Sequence, residues 1–152
     1  MNPATVFLVF ELEGRQFALH VGAVERVVYA VEITGLPHTP DIVMGVINVE
    51  GRVVSVFNVR RRFGLPERAV DPHDHFILAR TSHREVAIPV DRAVGVIECP
   101  AEDVEVSKKI LPGIDYVEGV VKRDDGLVLI QDLEKFLSLD EEEALGRAVK
   151  AR

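Results

Sequence analysis

Tryptophan is absent from this chain of 152 residues, and aromatic residues supply only 6% of it. Apolar residues nevertheless reach 47%, so a core is affordable but must be built from Val, Ile and Leu. Branched side chains are stiff about χ1 and suit a pleated surface better than a helix, which tilts the expectation toward β structure. Cys99 is the single cysteine. That count excludes an internal disulfide and a Cys-rich zinc site, and the thiol reads as a small packed side chain in a reducing compartment. No apolar run approaches the roughly 20 residues of a membrane helix. The start, Met1-Asn2-Pro3-Ala4, lacks the basic-then-apolar layout of a signal peptide. The expectation is a cytoplasmic protein with no direct membrane insertion. Positive charge is also in deficit, with 18 Lys and Arg against 25 Asp and Glu and a net charge of -7. Nucleic-acid binding and attraction to anionic lipid both draw on cationic side chains, so both are disfavoured.

What remains is a series of short apolar runs punctuated by turn residues. Thr5 to Leu12 and Gln16 to Val21 flank Glu13-Gly14 and read as a hairpin. Ala23 to Ile33 reads as a short helical turn leading into a strand, ended by Gly35, Pro37 and Pro40. Val43 to Val49 and Arg52 to Val59 flank Glu50-Gly51 in the clearest hairpin, which runs into the basic turn Arg60-Arg61-Arg62 and stops at Gly64 and Pro66. Strands follow at His75 to Arg80, Glu85 to Val90 and Ala93 to Glu98, then at Ile114 to Lys122 and Leu127 to Ile130 around Asp125-Gly126. Asp132 to Leu139 reads as a short helix, and residues 140–152 as a C-terminal helix with acids at its start and bases toward its end. Strands do not alternate with long helices, so a parallel α/β sheet is excluded. The hairpins opening with Gly45-Val46-Ile47 and Gly119-Val120-Val121 resemble each other, which suggests two related lobes within one domain spanning residues 1–152.

Few residues invite chemistry. His73 and His75 would point the same way in an extended segment and could share a metal, the basis of a metal-dependent enzyme as the alternative from another class. Asp71 and Asp74 lie beside them, but a third and fourth ligand would have to come from elsewhere, and nothing flanking is arranged to supply them. Glycines stand singly, so no phosphate loop is present. Arg60-Arg61-Arg62 could meet a phosphate or an acidic partner, although three bases on a helix turn are more often a solvated face. No cofactor and no catalytic residue are expected.

The run Gly45-Val46-Ile47-Asn48-Val49-Glu50-Gly51-Arg52-Val53-Val54-Ser55-Val56-Phe57-Asn58-Val59-Arg60 resembles the central signature of the CheW family, approximately Gly-Val-x-Asn-Leu-Arg-Gly-x-x-x-Pro-Val-x-Asp-Leu-Arg. Arg62-Phe63-Gly64-Leu65 is similar to its continuation. Phe7-Leu8-Val9-Phe10, Val24-Glu25-Arg26-Val27-Val28, Tyr116-Val117-Glu118-Gly119-Val120 and Leu129-Ile130-Gln131-Asp132-Leu133 extend the likeness over nearly the whole chain. The resemblance implies a mainly β fold of two packed five-stranded SH3-like barrels. It also implies a non-enzymatic adaptor that couples the cytoplasmic tip of a chemoreceptor to the regulatory domain of a CheA-type histidine kinase.

Two departures stand together. The family's Arg in the Asn-Leu-Arg-Gly turn is Glu50 here, and the Glu of its Val-x-Glu-Ile segment aligns with Arg26. Both signs are exchanged, so an ion pair of reversed polarity is expected. Asn58 replaces the family's Asp and Ser55 its Pro. The resemblance places the receptor groove near Val24, Arg26, Glu50 and Asn58. The kinase contact is assigned to the central hairpin, at Val46, Asn48, Gly51 and Val56. The altered charges also raise a CheW-like regulatory scaffold in a divergent or non-motility pathway.

Overall fold

The structure is a computed structural model, and it describes residues 4–106, 117–123 and 126–136. Strand β1 (Ala4–Leu12) turns into β2 (Arg15–His20). A 3-10 turn over Val21–Ala23 leads to β3 (Val24–Tyr29), so the helical turn precedes Val24 instead of including it. Then come β4 (Val43–Val49), β5 (Arg52–Phe57) and a short helix α1 (Val59–Phe63). They are followed by β6 (His75–Arg80), β7 (Glu85–Val90), β8 (Arg92–Pro100) and β9 (Val104–Val106). Strands β10 (Val117–Arg123) and β11 (Gly126–Gln131) end in helix α2 (Leu133–Phe136). The expected C-terminal helix over 140–152, and the end of the helix expected over Asp132 to Leu139, lie outside the described residues.

The strands form two sheets, ordered β8-β1-β2-β11-β10-β9 and β3-β6-β7-β5-β4. The mainly β, two-lobed expectation is met, with six strands in one lobe and five in the other. The sixth is β9, three residues paired along Gly119–Val121. At the matching place in the second lobe a single bridge joins Thr34 to Val46. The likeness of the two Gly-Val hairpins is therefore real in space. Each carries a register shift at its glycine and joins its sheet by a parallel contact, β5 to β7 and β11 to β2. Each glycine sits beneath the crossing segment. A Cβ on Gly45 would lie 2.2 Å from the Thr34 carbonyl oxygen, and one on Gly119 would lie 2.7 Å from that of Glu105.

The chain passes between the lobes twice. After the β1–β2 hairpin the chain crosses to pair β3 with β6, and after the β6–β7 hairpin it crosses back to pair β8 with β1. Alternation of side chains then creates three cores. Phe7, Val9, Ala18, Val128 and Ile130 fill the first lobe, and Ile47, Val54, Val56, Phe76 and Leu78 fill the second. The opposite faces of the same strands meet between the lobes, where Leu8, Phe10, Leu12, Phe17 and Leu19 pack with Ile77, Ala79, Val86, Ile88 and Val90. Burial on both faces explains the near-continuous apolar reading of β1, β6 and β7.

Each helix grips a turn of the other lobe. Arg60 of α1 pairs with Glu13 in the β1–β2 turn and with Asp91 at the crossing into β8. Arg68 joins Asp91 at 2.6 Å and Asp74 at 2.8 Å. Asp91 also accepts the Glu13 backbone N–H at 2.9 Å. At the corresponding place in the first lobe, Glu134 of α2 accepts from the Ser82 N–H and hydroxyl in the β6–β7 turn. Arg60 is only 8% exposed, whereas Glu13 reaches water and Asp91 keeps Arg68, so removing the Arg60 charge loses its charge-assisted hydrogen bonds without stranding a buried carboxylate. Arg60→Met should cost on the order of 2 kcal/mol in urea unfolding. Arg61→Met, whose pairs are exposed, should cost about 0–1 kcal/mol. Equal midpoints for the two variants would contradict this account of the joint.

Candidate protein-binding surface

One end of the second lobe concentrates charge. A register shift in β3 between Val24 and Arg26 places two consecutive residues, Glu25 and Arg26, on the surface. Arg26 Nη2 lies 3.0 Å from Glu50 Oε1, so the pair expected from the two exchanged signs is formed. Glu50 occupies the β4–β5 turn with φ of 51° and Gly51 with 85°, the double positive φ of a two-residue hairpin loop. Asn48 Oδ1 accepts the Gly51 N–H at 2.8 Å and secures the loop. Beside this pair, Glu25 meets Arg80 at 3.1 Å, and Arg52 lies 3.3 Å from Glu85 and 3.9 Å from Glu25. The Glu25 and Glu85 carboxyls influence each other's titration. Glu25 is held below its ordinary value first by Glu85 and then, against burial, by Arg80 and Arg52. Glu85 is pushed up by Glu25 and by burial.

The outward face of the β4–β5 hairpin adjoins this cluster. Register pairs Asn48 with Val53 and Val46 with Ser55. Asn48 is exposed, Val46 half-buried and Val53 75% exposed, the most exposed large apolar side chain among the described residues. Sequence reasoning passed over Val53. The two-residue turn sets the register that puts it opposite Asn48, and an apolar residue on that polar face was the available signal. Glu25, Arg52, Arg80 and Glu85 were also missed, because they come from four strands and only the bulge in β3 brings Glu25 among them.

Two of the expected contact residues belong elsewhere. Val56 has no exposed surface and supports the hairpin from beneath, so its side chain cannot touch a kinase. Asn58 lies beyond the far end of β5, six residues from Arg52 and so about 20 Å along the strand. There it caps α1 through the Arg61 N–H at 3.3 Å and donates to Glu67 at 2.8 Å. Val24 is half-buried and packs against the core between the lobes.

Other readings are corrected by the geometry. Arg60 is consumed by the inter-lobe joint, and Arg61 pairs with Glu67 at 3.0 Å and Asp41 at 3.6 Å, so the basic turn is not a phosphate-binding face. His73 sits in a turn and binds Asp71 at 2.9 Å, while His75 Nδ1 accepts the Ala93 N–H at 2.9 Å. The segment is not extended, the two rings have separate tasks, and no cluster of three metal-ligating side chains occurs among the described residues. Cys99 is buried, which pushes its thiol up and away from reactivity.

Two β lobes locked across an apolar joint, with charge-paired and apolar side chains facing outward, define a scaffold for other proteins. The CheW-like domain model matches residues 6–141, and the chain belongs to that family, whose members are non-enzymatic scaffold and adaptor proteins. Among its relatives is the chemotaxis protein CheW of Thermotoga maritima, 30% identical over 132 residues that cover 86% of this chain and 85% of that one. The chemotaxis protein CheW of Treponema pallidum is 24% identical over 140 residues, covering 88% and 82%. The crystal structure of scaffolding protein TtCheW from Thermoanaerobacter tengcongensis superimposes with a TM-score of 0.79 at 26% identity, covering 93% of this chain and 96% of that one.

The carboxyl pair has a pH signature. A carboxyl whose folded-state value is raised contributes stability below its ordinary value, near 4.5, and loses it as pH rises through the folded value. Glu85→Gln should therefore be more stable than the unaltered protein at about pH 7, with the two converging toward about pH 4. Denaturation curves that keep a constant gap across this range would contradict the upward shift of Glu85.

Proposed function

We propose that this protein is a cytoplasmic coupling adaptor that holds the tip of a chemoreceptor and the regulatory domain of a CheA-type histidine kinase in one geometry. Family membership supports the adaptor role. No described helix is long and apolar enough to cross a membrane, which agrees with a protein that meets receptors at their cytoplasmic ends. The receptor face is the charged end of the second lobe, around Val24, Arg26 and Glu50. The kinase face is the outer side of the β4–β5 hairpin, with Val53 as its apolar centre and Val46, Asn48 and Gly51 around it. Asn58 and Val56 act indirectly, as a helix cap and as internal support.

The observation that carries this reading is the exposed Arg26–Glu50 pair, 42% and 73% accessible. A pair so exposed contributes about 0–1 kcal/mol to folding. Its effect falls on encounter and discrimination, because a partner must present the complementary order of charges. The reversed polarity relative to the family pattern favours a receptor whose charges are reversed to match. That places the protein in a divergent array, or in a chemosensory-like pathway governing something other than swimming.

Exchanging the two charges, Arg26→Glu with Glu50→Arg, should leave the thermal midpoint nearly unchanged and shift preference among receptor fragments in a pull-down. An unaltered preference would remove the receptor assignment. Val53→Asp should lower affinity for the kinase regulatory domain at least roughly tenfold, as expected for a central apolar anchor. Calorimetry showing no loss would move the kinase face elsewhere.

A further inference from the structure

The chain between β3 and β4 lies across one flank of the second lobe and leaves a groove of about 430 Å³ against the strap that precedes β6. Ala30, Ile33, Met44 and Val70 line it, and all four rest on the core of that lobe, so the floor is apolar and backed by packed side chains. Val31, 46% exposed, and Pro72 stand at its sides. Beside this floor the backbone ladder has a gap. Ala30 donates to the Asp74 carbonyl at 3.0 Å, and Thr34 exchanges two 2.8 Å bonds with Val46. Between these anchors Val31, Glu32 and Ile33 make no hydrogen bond to any described residue. Three consecutive peptide units are thus held at both ends and left open along an apolar trough.

Charge marks both banks. Glu32 on one and Asp71 on the other are exposed. Glu32 has no ion pair among the described residues, and Arg68 of the strap is taken by Asp74 and Asp91. The N–H of His73 and then its ring hold the Asp71 carboxyl below its ordinary value, and both contacts fall on Oδ1. We propose that this groove is a docking site for an extended peptide segment of a partner protein, carrying apolar side chains flanked by Lys or Arg. A strand is the ligand that uses every feature. Its peptide groups complete those of residues 31–33, and alternate side chains enter the trough. The flanking cations turn away from the floor, and their long stems let them fold onto Glu32 and Asp71. A helix satisfies its own backbone and would leave the open peptide units unmatched. An acidic or phosphorylated segment would meet two carboxylates of its own sign. A volume near the lower end of the roughly 300–1,000 Å³ of ligand sites suits one or two apolar side chains. The groove draws on residues 30–33 and 70–72, apart from both partner faces proposed above, so the inference adds a third contact and stands without them.

The test uses the isotope-labelled full chain and a synthetic octapeptide of alternating valine and lysine with capped ends. Two control peptides carry glutamate for lysine and serine for valine. The lysine peptide should bind saturably, shift the amide signals of Val31, Glu32 and Ile33 before others, and weaken as salt is raised. Serine for valine should weaken binding about tenfold through lost apolar burial. Glu32→Lys should also weaken it about tenfold by setting cation against cation. That side chain is exposed, so an unchanged thermal midpoint separates loss of the site from loss of the fold. Absence of saturable binding, equal binding of the glutamate peptide, or shifts centred elsewhere would overturn the site. Displacement of the bound peptide by a receptor signalling fragment or a kinase regulatory domain would overturn it as a third contact and assign the groove to that partner.

Discussion

A protein that couples two others must keep its own halves at a constant angle, and that angle rests here on the apolar layer between the lobes. Strands β1, β6 and β7 give one face to a lobe interior and the other to this layer, where Phe10, Leu12 and Phe17 meet Ile77, Ile88 and Val90. Close-packed interiors resist small slippage, since contacts fade steeply with separation. The ionic clasp of Arg60, Glu13 and Asp91 then sets which apolar surfaces meet. Arg60 is buried while its carboxylates keep contact with water, so the clasp adds little net stability and acts chiefly on orientation. A second clasp at Glu134 and Ser82 closes the opposite end by a hydroxyl and a backbone N–H. The two clasps come from equivalent helices and use different chemistry, so internal symmetry is kept in shape and abandoned in charge.

The outward charges obey other rules. Arg26 and Glu50 face water, so salt weakens them and their folding contribution is slight. What they offer a partner is a sign pattern. The neighbouring Glu25, Arg80, Arg52 and Glu85 extend it into alternating charge with little net field, suited to reading a specific surface at contact distance and poorly suited to long-range attraction.

Local features were legible in the sequence. Glu13-Gly14 and Glu50-Gly51 announce hairpins because their loops require positive φ, and both turn residues in each adopt it. The doubled Gly-Val opening signals related lobes, and in space both glycines lie under a crossing chain. Two exchanged signs were enough to pair Arg26 with Glu50. Features that depend on distant partners were not legible. Nothing near Arg60 in sequence identifies Glu13 or Asp91 as its carboxylates, which stand 47 and 31 residues away. The placing of β3 in the second lobe and β8 in the first is equally silent, since a strand's pattern tells which face is buried and not which neighbour it will find. His73 and His75 misled because alternation was assumed where the chain turns.

That division of the chain bears on how the molecule is made. The second lobe is one continuous stretch of chain, from β3 to β7, and can close while it emerges from the ribosome. The first lobe cannot. Its opening hairpin leaves the exit tunnel early, but β8, β10 and β11 are synthesised some hundred residues later, roughly 5–20 s at ordinary elongation rates. During that interval Phe7, Leu8, Val9 and Phe10 form an apolar strand with a neighbour on one side only, a hazard for association between nascent chains. The domain completed first supplies the surface on which the waiting hairpin can rest, so the layer that later sets the angle between lobes also shelters the oldest part of the chain.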